Sequence, residues 1–185
     1  MSPETPAPLP IRMLRVADVE VDAYARHVVQ HMAESGREGM AHFALSRTWV
    51  RDEVRASLVG RLSKPLDEPL WGRVWALFDP EGREVVGHLE LRGGRVPAEM
   101  HRATLGMGIM RRHVGQGHGG RLIEAAVRWA REVGLAWIDL GVFSENTRAR
   151  KLYERMGFVP IGTRDDAFRL DSGVAVDDIL MAKRL

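Results

Sequence analysis

The pattern of apolar and polar positions changes along the chain. Between residues 19 and 62 apolar residues recur every three or four positions, whereas from residue 71 onward they alternate with polar residues or form short runs. The first pattern is typical of amphipathic helices and the second of strands. We therefore expect a helical first third, followed by strands and later by strands that alternate with helices.

The pattern predicts seven strands and four helices. Strands are expected at Ile11 to Leu14, Trp71 to Phe78, Val85 to Leu91, Arg102 to Met110, Ala136 to Val142, Phe158 to Arg164 and Val174 to Lys183. Helices are expected at Val19 to Ala33, at Ser46 to Leu62, from the glycine-rich stretch at Gly115 to about Val133, and at Asn146 to Met156. The early strands form hairpins and the later ones alternate with helices, which predicts an α/β domain with a mixed sheet.

Length and composition are those of an ordinary globular protein. The chain has 185 residues, of which 45% are hydrophobic and 28% charged, and this suffices for one domain with a real core. We assign residues 11–185 to that domain and expect the proline-rich residues 1–10 to form a flexible arm. No membrane-spanning stretch and no apolar secretion segment are present, which indicates a cytoplasmic protein.

Charge and cysteine content exclude several functions. The 27 basic residues are interleaved with 25 acidic ones, and no basic run suggests a nucleic-acid groove. The chain contains no cysteine, so disulfides, thiolate-bound metals and a cysteine acyl-enzyme are excluded. Any acyl transfer must therefore proceed without a protein thiol.

A glycine-rich stretch joins the end of a predicted strand to the start of a predicted helix; it reads Val114-Gly115-Gln116-Gly117-His118-Gly119-Gly120. At a helix start several backbone N–H groups lack an intrahelical partner, and the helix dipole favours an anion. Because glycine has no Cβ, the backbone can approach phosphate oxygens closely. The stretch is therefore a candidate pyrophosphate site, and a connector without a ligand is the alternative.

A second phosphate-binding pattern overlaps this stretch. Gly115, Gly117 and Gly120 satisfy the G-x-G-x-x-G of dinucleotide-binding oxidoreductases, and Asp139 follows at about the required distance. However, residues 111–113 separate the strand from the first glycine, hairpins precede the motif, and too little chain follows for a second nucleotide-binding half. A P-loop is excluded because there is no Gly-Lys-Ser/Thr.

Two motifs at a defined spacing carry a family resemblance. The first is the strand Leu105 to Met110 followed by the glycine-rich stretch, and the second is Asn146-x-x-Ala149-x-x-Leu152-Tyr153-x-x-x-Gly157-Phe158. Together they resemble the GNAT superfamily of acetyl-CoA-dependent N-acetyltransferases. Gly117 and Gly119 match the family pattern Arg/Gln-x-x-Gly-x-Gly/Ala, but Val114 stands at its basic or amide position. Arg111, Arg112 or Arg121 could supply the missing charge.

The resemblance implies both a fold and a cofactor. The fold is a mixed, mostly antiparallel central sheet with helices on both faces, in which strands ending near Met110 and Val142 part to hold acetyl-CoA. Main-chain groups of Ile109 to Arg111 would pair with the pantetheine arm, and Asn146, which by itself also reads as a helix N-cap, would bond to it. The residues expected to bind acetyl-CoA are Ile109, Met110, Arg111, Val114, Gly115, Gln116, Gly117, His118, Gly119, Gly120, Asn146 and Tyr153.

The implied reaction needs a base for the amine and an acid for the leaving thiolate. The resemblance assigns the acid to Tyr153, although its place on an apolar helix stripe is also typical of a core residue. Glu90 is the first candidate for the base, directly or through a water, with His88 and His101 in reserve. A strand carboxylate that only faces solvent is the alternative for Glu90. Because Thr104 stands where many relatives carry an acidic residue, the base stays open.

The acceptor stays open as well. A protein N-terminus, a lysine or a small amine such as a polyamine, an amino acid or an antibiotic would each fit direct transfer in a ternary complex. Carboxylates near the last hairpin could attract a cationic amine or could simply be solvated; they are Asp165, Asp166, Asp177 and Asp178. A homodimer is common among relatives. A non-catalytic acyl-CoA-binding module is the alternative function.

Two further residue groups have structural interpretations. His27 and His31 are spaced like a zinc pair, but a third ligand is missing, so we expect them on an exposed helix face and expect no metal. The tryptophans, including Trp49, Trp71 and Trp75, are expected in the core.

Overall fold

Strands and helices follow one another as the pattern predicted. The computed structural model describes residues 8–16, 20–35, 51–169 and 173–185. In these ranges the strands are β1 (Ile11–Met13), β2 (Gly72–Phe78), β3 (Val85–Gly93), β4 (Arg102–Ile109), β5 (Trp137–Phe143), β6 (Val159–Arg169) and β7 (Ala175–Arg184). The helices are α1 (Glu20–Ser35), α2 (Arg51–Leu62), α3 (His118–Glu132) and α4 (Thr147–Arg155), with short 3₁₀ turns at Pro97–Glu99 and Arg111–His113.

The seven strands form one sheet in the order β1-β2-β3-β4-β5-β7-β6. Every pair of neighbours is antiparallel except β4 and β5, which run parallel. The prediction of a mixed, mostly antiparallel sheet is confirmed. The single parallel pair is the one joined through α3, since a parallel connection needs a crossover and a tight turn cannot supply it.

The parallel pair separates after three residues. Arg102 to Thr104 of β4 pair with Trp137 to Asp139 of β5, and the ladder ends there although β4 continues to Ile109 and β5 to Phe143. The two strands therefore part at the centre of the sheet, as the resemblance implied. Their carboxyl-terminal halves border a gap in which backbone groups are free to bond to a ligand.

Helices cover both faces of the sheet because its central strands are buried on both sides. On one face Val74 and Ala76 of β2 share a core with α1 and α2, which contributes Leu58. On the other face Trp75 and Leu77 share a core with α3. This alternation along β2 is the two-residue period of a strand. Full burial of a side chain the size of Leu58 contributes about 1.5–3 kcal/mol.

The α3 helix carries its predicted apolar stripe. Its first turn begins at His118, directly after Gly117, and both Gly115 and Gly117 have positive φ. The residues predicted on its inner face are all buried: Leu122, Ile123, Ala126, Val127 and Ala130. The stripe anchors the helix on the sheet, and this fixes its amino terminus beside the gap between β4 and β5.

Some boundaries differ from the prediction or lie outside the described ranges. The β6 strand continues to Arg169, beyond the predicted end at Arg164, because its pairing with β7 resumes after an irregularity. Residues 46–50 of the second predicted helix, Trp49 among them, and residues 171–172 of the last turn are not described. Trp71 and Trp75 are buried as predicted. No helix in the described ranges is long and apolar enough to cross a membrane.

Candidate active site

The glycine-rich loop between β4 and α3 is open on its outer side. Gly115 and Gly117 have φ values of +91° and +81°, in the region where an L side chain is strained. A Cβ placed on Gly117 would meet no atom within 4 Å, so the protein does not fill the space in front of it. Behind it, the amides of the first turn of α3 precede any intrahelical acceptor. This arrangement suits a phosphate group.

His118, the first residue of α3, has an unused polar atom at this loop. Its Nε2 lies 3.2 Å from Oε1 of Gln116, whereas its buried Nδ1 has no hydrogen-bond partner in the described structure. Burial lowers the pKa of His118 below its usual value of 6.5, and the neighbouring Arg121 adds to that effect. The lowered pKa keeps this imidazole neutral at pH 7, and its Nδ1 is buried away from the open side of the loop.

One positive group at the loop comes from a residue that the sequence did not single out. A Cβ on Gly115 would lie 2.7 Å from Nη2 of Arg148, so this guanidinium from α4 lies against the loop. Two of the expected cations are engaged elsewhere: Arg121 donates to the Leu9 carbonyl at 3.0 Å, and Arg112 bonds to the ring of His113 at 3.0 Å. No local pattern marks Arg148, because it reaches the loop only through the packing of α4.

Backbone groups of β4 face the gap at alternate positions. The Met110 amide donates to the Val86 carbonyl of β3 at 2.9 Å, and the Arg111 amide donates to Oε2 of Glu34 at 3.3 Å. Since backbone groups alternate in direction along a strand, those of Met107 and Ile109 point away from β3 and into the gap. Of the predicted segment Ile109 to Arg111, only Ile109 therefore has main-chain groups directed into the gap, and those of Met107 point the same way.

Asn146 begins α4 as an N-cap. Its Oδ1 accepts a hydrogen bond from the Ala149 amide at 3.1 Å, which satisfies one of the free donors of the first turn. The N-cap interpretation made from the sequence is confirmed.

Tyr153 lies two turns further along α4 and is buried in the core. Its ring meets that of Phe158 edge-on at a centroid distance of 5.9 Å, and 7% of the residue is exposed. Burial raises the pKa of the Tyr153 phenol above its usual value of 10, so the hydroxyl keeps its proton throughout the physiological range. The core packing expected from its apolar stripe is present, and it holds the ring in one place.

Glu90 is buried on the opposite face of the sheet, under α2. Its Oε1 lies 2.6 Å from Nε of Arg61, and its Oε2 lies 3.8 Å from Nε of Arg92. The alternative of a carboxylate that only faces solvent is wrong, because α2 covers this part of β3 and supplies a counterion there. With Oε1 engaged by Arg61, Oε2 is the oxygen that remains for a substrate.

His27 and His31 are buried, so the predicted exposed helix face is wrong. Nε2 of His27 lies 2.9 Å from Nδ1 of His88, and the rings of His27 and His31 stack at 5.7 Å. The α1 helix approaches the sheet closely at this point because Gly108 has no side chain: a Cβ there would lie 2.5 Å from the His31 ring. Within the described residues, no group of histidines and carboxylates is arranged to hold a metal ion.

The remaining candidates lie apart from this cluster. His101, a reserve base, is exposed just before β4. Thr104 is the last residue of β4 that pairs with β5. Asp178 is buried, not solvated, and lies 2.6 Å from Nη2 of Arg164. Asp166 is exposed and pairs with Arg169.

Comparisons of this chain with known protein families and solved structures agree with this geometry. The model of the acetyltransferase (GNAT) family matches residues 47–158, which is more than half of the chain. The chain therefore belongs to the GNAT acetyltransferase family. Membership confirms the resemblance drawn from the sequence and, with it, acetyl-CoA as the cosubstrate. No curated protein matches the chain.

Several solved structures share the fold over nearly the whole chain. A ribosomal-protein-alanine N-acetyltransferase from Brucella melitensis has a TM-score of 0.80 at 20% identity, covering 96% of this chain and 100% of its own. A GNAT family acetyltransferase from Streptococcus pneumoniae has a TM-score of 0.75 at 21% identity, covering 96% and 99%. A phosphinothricin acetyltransferase from Sinorhizobium meliloti, in complex with acetyl-CoA, has a TM-score of 0.76 at 15% identity, covering 96% and 88%.

Proposed function

We propose that this protein is an N-acetyltransferase that moves the acetyl group of acetyl-CoA directly onto a primary amine in a ternary complex. The observation that carries the proposal is the gap between β4 and β5, which has the open loop at Gly117 at its mouth, Tyr153 on one face of the sheet and Glu90 on the other. A thioester in this gap would have a proton donor on one side and a proton acceptor on the other.

The chain offers binding groups for the pyrophosphate and the pantetheine arm of acetyl-CoA. Loop amides around Gly117 and Gly119, with the Arg148 guanidinium, would hold the pyrophosphate. Main-chain groups of Met107 and Ile109 would pair with the amides of the pantetheine arm. In this scheme Arg148 compensates for Val114, which cannot make the usual polar contact.

Proton transfers follow from the positions of Glu90 and Tyr153. When bound, acetyl-CoA supplies an activated acyl carbon and a thiolate leaving group. The amine must be neutral to attack, so Glu90 takes its proton through Oε2, directly or through a water. Tyr153 would donate its phenolic proton to the sulfur as the C–S bond breaks, and its raised pKa keeps that proton available. The phenolate would regain a proton from the attacking nitrogen, which must lose one to become an amide nitrogen. The products are the acetamide and free coenzyme A.

An amine acceptor is consistent with what related structures are named for. One is named a ribosomal-protein-alanine N-acetyltransferase and another a putative phosphinothricin N-acetyltransferase, so both names give an N-acetyltransferase. The absence of cysteine in this chain favours direct attack by the amine, because no thiol is present to carry the acetyl group.

The proposal is tested in two steps. Calorimetry with acetyl-CoA should give saturable heat at micromolar to millimolar cofactor, and a thiol-release assay over amino acids, peptides, polyamines and aminoglycosides should then identify acceptors. Heat without thiol release for any amine would leave a binding module instead of an enzyme. The lack of any heat at millimolar acetyl-CoA would rule out both.

A further inference from the structure

Arg92 on β3 carries a guanidinium that the proposed reaction does not use. It lies next to Glu90 on the face covered by α1 and α2, and its side chain is 50% exposed. A Cβ placed on Gly106 would lie 3.6 Å from Nη2 of Arg92, so this group extends over β4. Gly106 stands two residues beyond Thr104, where the ladder between β4 and β5 ends. Arg92 therefore reaches the edge of the gap.

Arg92 has unused hydrogen-bonding capacity. Among the described residues its ion-pair partner is Glu90, whose Oε2 lies at 3.8 Å, longer than a hydrogen bond, and Glu90 already has the Arg61 contact at 2.6 Å. Two guanidiniums thus share one carboxylate. On the same face Arg102 is matched by Asp139 at 2.8 Å, and Arg164 is matched by Asp178 at 2.6 Å. Of these three arginines in the described part of the chain, only Arg92 has no carboxylate oxygen within hydrogen-bond distance.

Glu90 and Arg92 present a negative and a positive group side by side. A free α-amino acid presents the opposite pair at a similar spacing, because its ammonium and carboxylate groups are attached to the same carbon. The ammonium would meet Oε2 of Glu90 while the carboxylate accepts hydrogen bonds from Arg92. The bare backbone at Gly106 lets the Arg92 guanidinium lie over β4, where it can face a carboxylate in the gap.

We infer that the acceptor is a free amino acid, held at its α-carboxylate by Arg92 and aligned for attack by Glu90. The inference rests on the proposed function, since it names the substrate class of the same site. It separates a free amino acid from a protein N-terminus or a lysine side chain, neither of which carries a carboxylate next to the reacting amine. A polyamine lacks the carboxylate altogether, and Arg92 would repel it.

The test compares each of the standard L-amino acids with its own primary amide in the thiol-release assay. Amides have more acidic ammonium groups, so without a carboxylate site they would react as fast or faster. Wild-type enzyme should instead favour the best free acid over its amide by about tenfold to a hundredfold in kcat/KM, the range expected for a charge-assisted contact. Equal rates, or faster reaction of the amides or of peptides, would overturn the inference and leave the transferase intact.

Variants of Arg92 separate recognition from folding. Arg92→Gln should raise KM for the free acid by about tenfold or more, with a much smaller effect on the amide, and Arg92→Lys should recover part of the loss because it keeps the charge but not the planar donor pair. Arg95→Gln, an exposed arginine in the following turn, is the matched control and should keep the preference. A preference that survives in Arg92→Gln would overturn the inference, and the absence of thiol release with every amine would overturn the proposed function with it.

Discussion

Nε2 of His27 on α1 lies 2.9 Å from Nδ1 of His88 on β3, and both rings are buried. The hydrogen bond joins residues 61 positions apart and ties α1 to the sheet beside Glu90. Only one of the two nitrogens can carry the shared proton while both rings are neutral. A second proton would place a charge in a site that the described structure leaves without a counterion for it.

This pair should make folding stability depend on pH. Burial lowers the pKa of His27 from 6.5 to about 3 and holds that of His88 well below 6.5. As the pH falls below 6.5, the unfolded chain therefore takes up protons that the folded chain refuses. The free energy of unfolding should fall by up to about 1.4 kcal/mol per pH unit for each histidine. Urea denaturation between pH 7.5 and 5 measures the slope.

His27→Gln removes one of the two titrating groups and keeps a side chain that can hydrogen-bond to His88. Its stability should fall less steeply with acid than that of the wild type. His101→Gln, at an exposed position, should keep the wild-type slope. An unaltered slope in His27→Gln would show that the buried pair is not the source of the acid sensitivity.

Gly117→Ala should impair cofactor binding beyond its effect on folding. The residue has a φ of +81°, so alanine costs about 1–2 kcal/mol of stability. Its new methyl group would enter the space proposed for the pyrophosphate, and acetyl-CoA affinity should fall by about tenfold or more, as for the loss of a charge-assisted contact. Calorimetry of acetyl-CoA binding measures the second effect.

Gly134→Ala is the matched control for that change. Gly134 has a φ of +80°, and a Cβ there also meets no atom within 4 Å, but it lies at the opposite end of α3. The two variants should lose similar stability, whereas Gly134→Ala alone should keep the acetyl-CoA affinity. Equal acetyl-CoA affinities in the two variants would show that the glycine-rich loop is not part of the binding site.

Arg148→Gln should weaken the binding of acetyl-CoA about tenfold or more through the loss of a guanidinium contact with phosphate. The loss should shrink at high salt, because screening already weakens the wild-type contact. Acetyl-pantetheine, which has no nucleotide phosphates, should bind the two proteins alike. Arg150→Gln removes a neighbouring guanidinium that pairs with Glu154 at 3.8 Å and should change neither affinity. Parallel losses for acetyl-CoA and acetyl-pantetheine would contradict a phosphate contact.

Tyr153→Phe should lower kcat about a hundredfold, the contribution of a positioned general acid. The phenylalanine keeps the ring contact with Phe158, so the melting temperature should change little. Because burial raises the pKa of the phenol, ionisation of Tyr153 should not reduce wild-type turnover up to about pH 10. Stopped-flow thiol release across pH 6 to 10 tests both points. If Tyr153→Phe turned over as fast as the wild type, Tyr153 would have only a packing role in the core.

Local sequence patterns predicted much of this fold, because helix faces, helix starts and N-caps depend on residues that are close together in the chain. The spacing of Leu122, Ile123 and Ala126 located the inner face of α3, and the glycines before His118 marked its start. The interpretation of Asn146 as an N-cap needed only the first turn of α4. Glu90 and His88 were placed on one face by alternation alone, which their pairing with Val74 and Ala76 confirms.

Burial and charge pairing were not predictable in this way. The sequence predicted that His27 and His31 would be exposed. In the structure α1 packs on β3 over the bare backbone of Gly108, and this buries both histidines. Arg148 reaches the glycine loop across more than thirty residues of sequence, and Arg61 finds Glu90 across 29. Such contacts depend on how the helices pack on the sheet, and local sequence patterns do not predict that packing.

By itself the sequence determined the order of helices and strands, the glycine loop and the family, because side-chain periodicity and backbone conformation act over a few residues. Tertiary structure alone decided where β4 and β5 part, which face holds Glu90, and which arginines remain without a full partner. Those features arise from packing between distant segments. Burial of the Glu90 carboxylate requires a counterion, which Arg61 supplies, and among the described residues Arg92 has no carboxylate within hydrogen-bond distance.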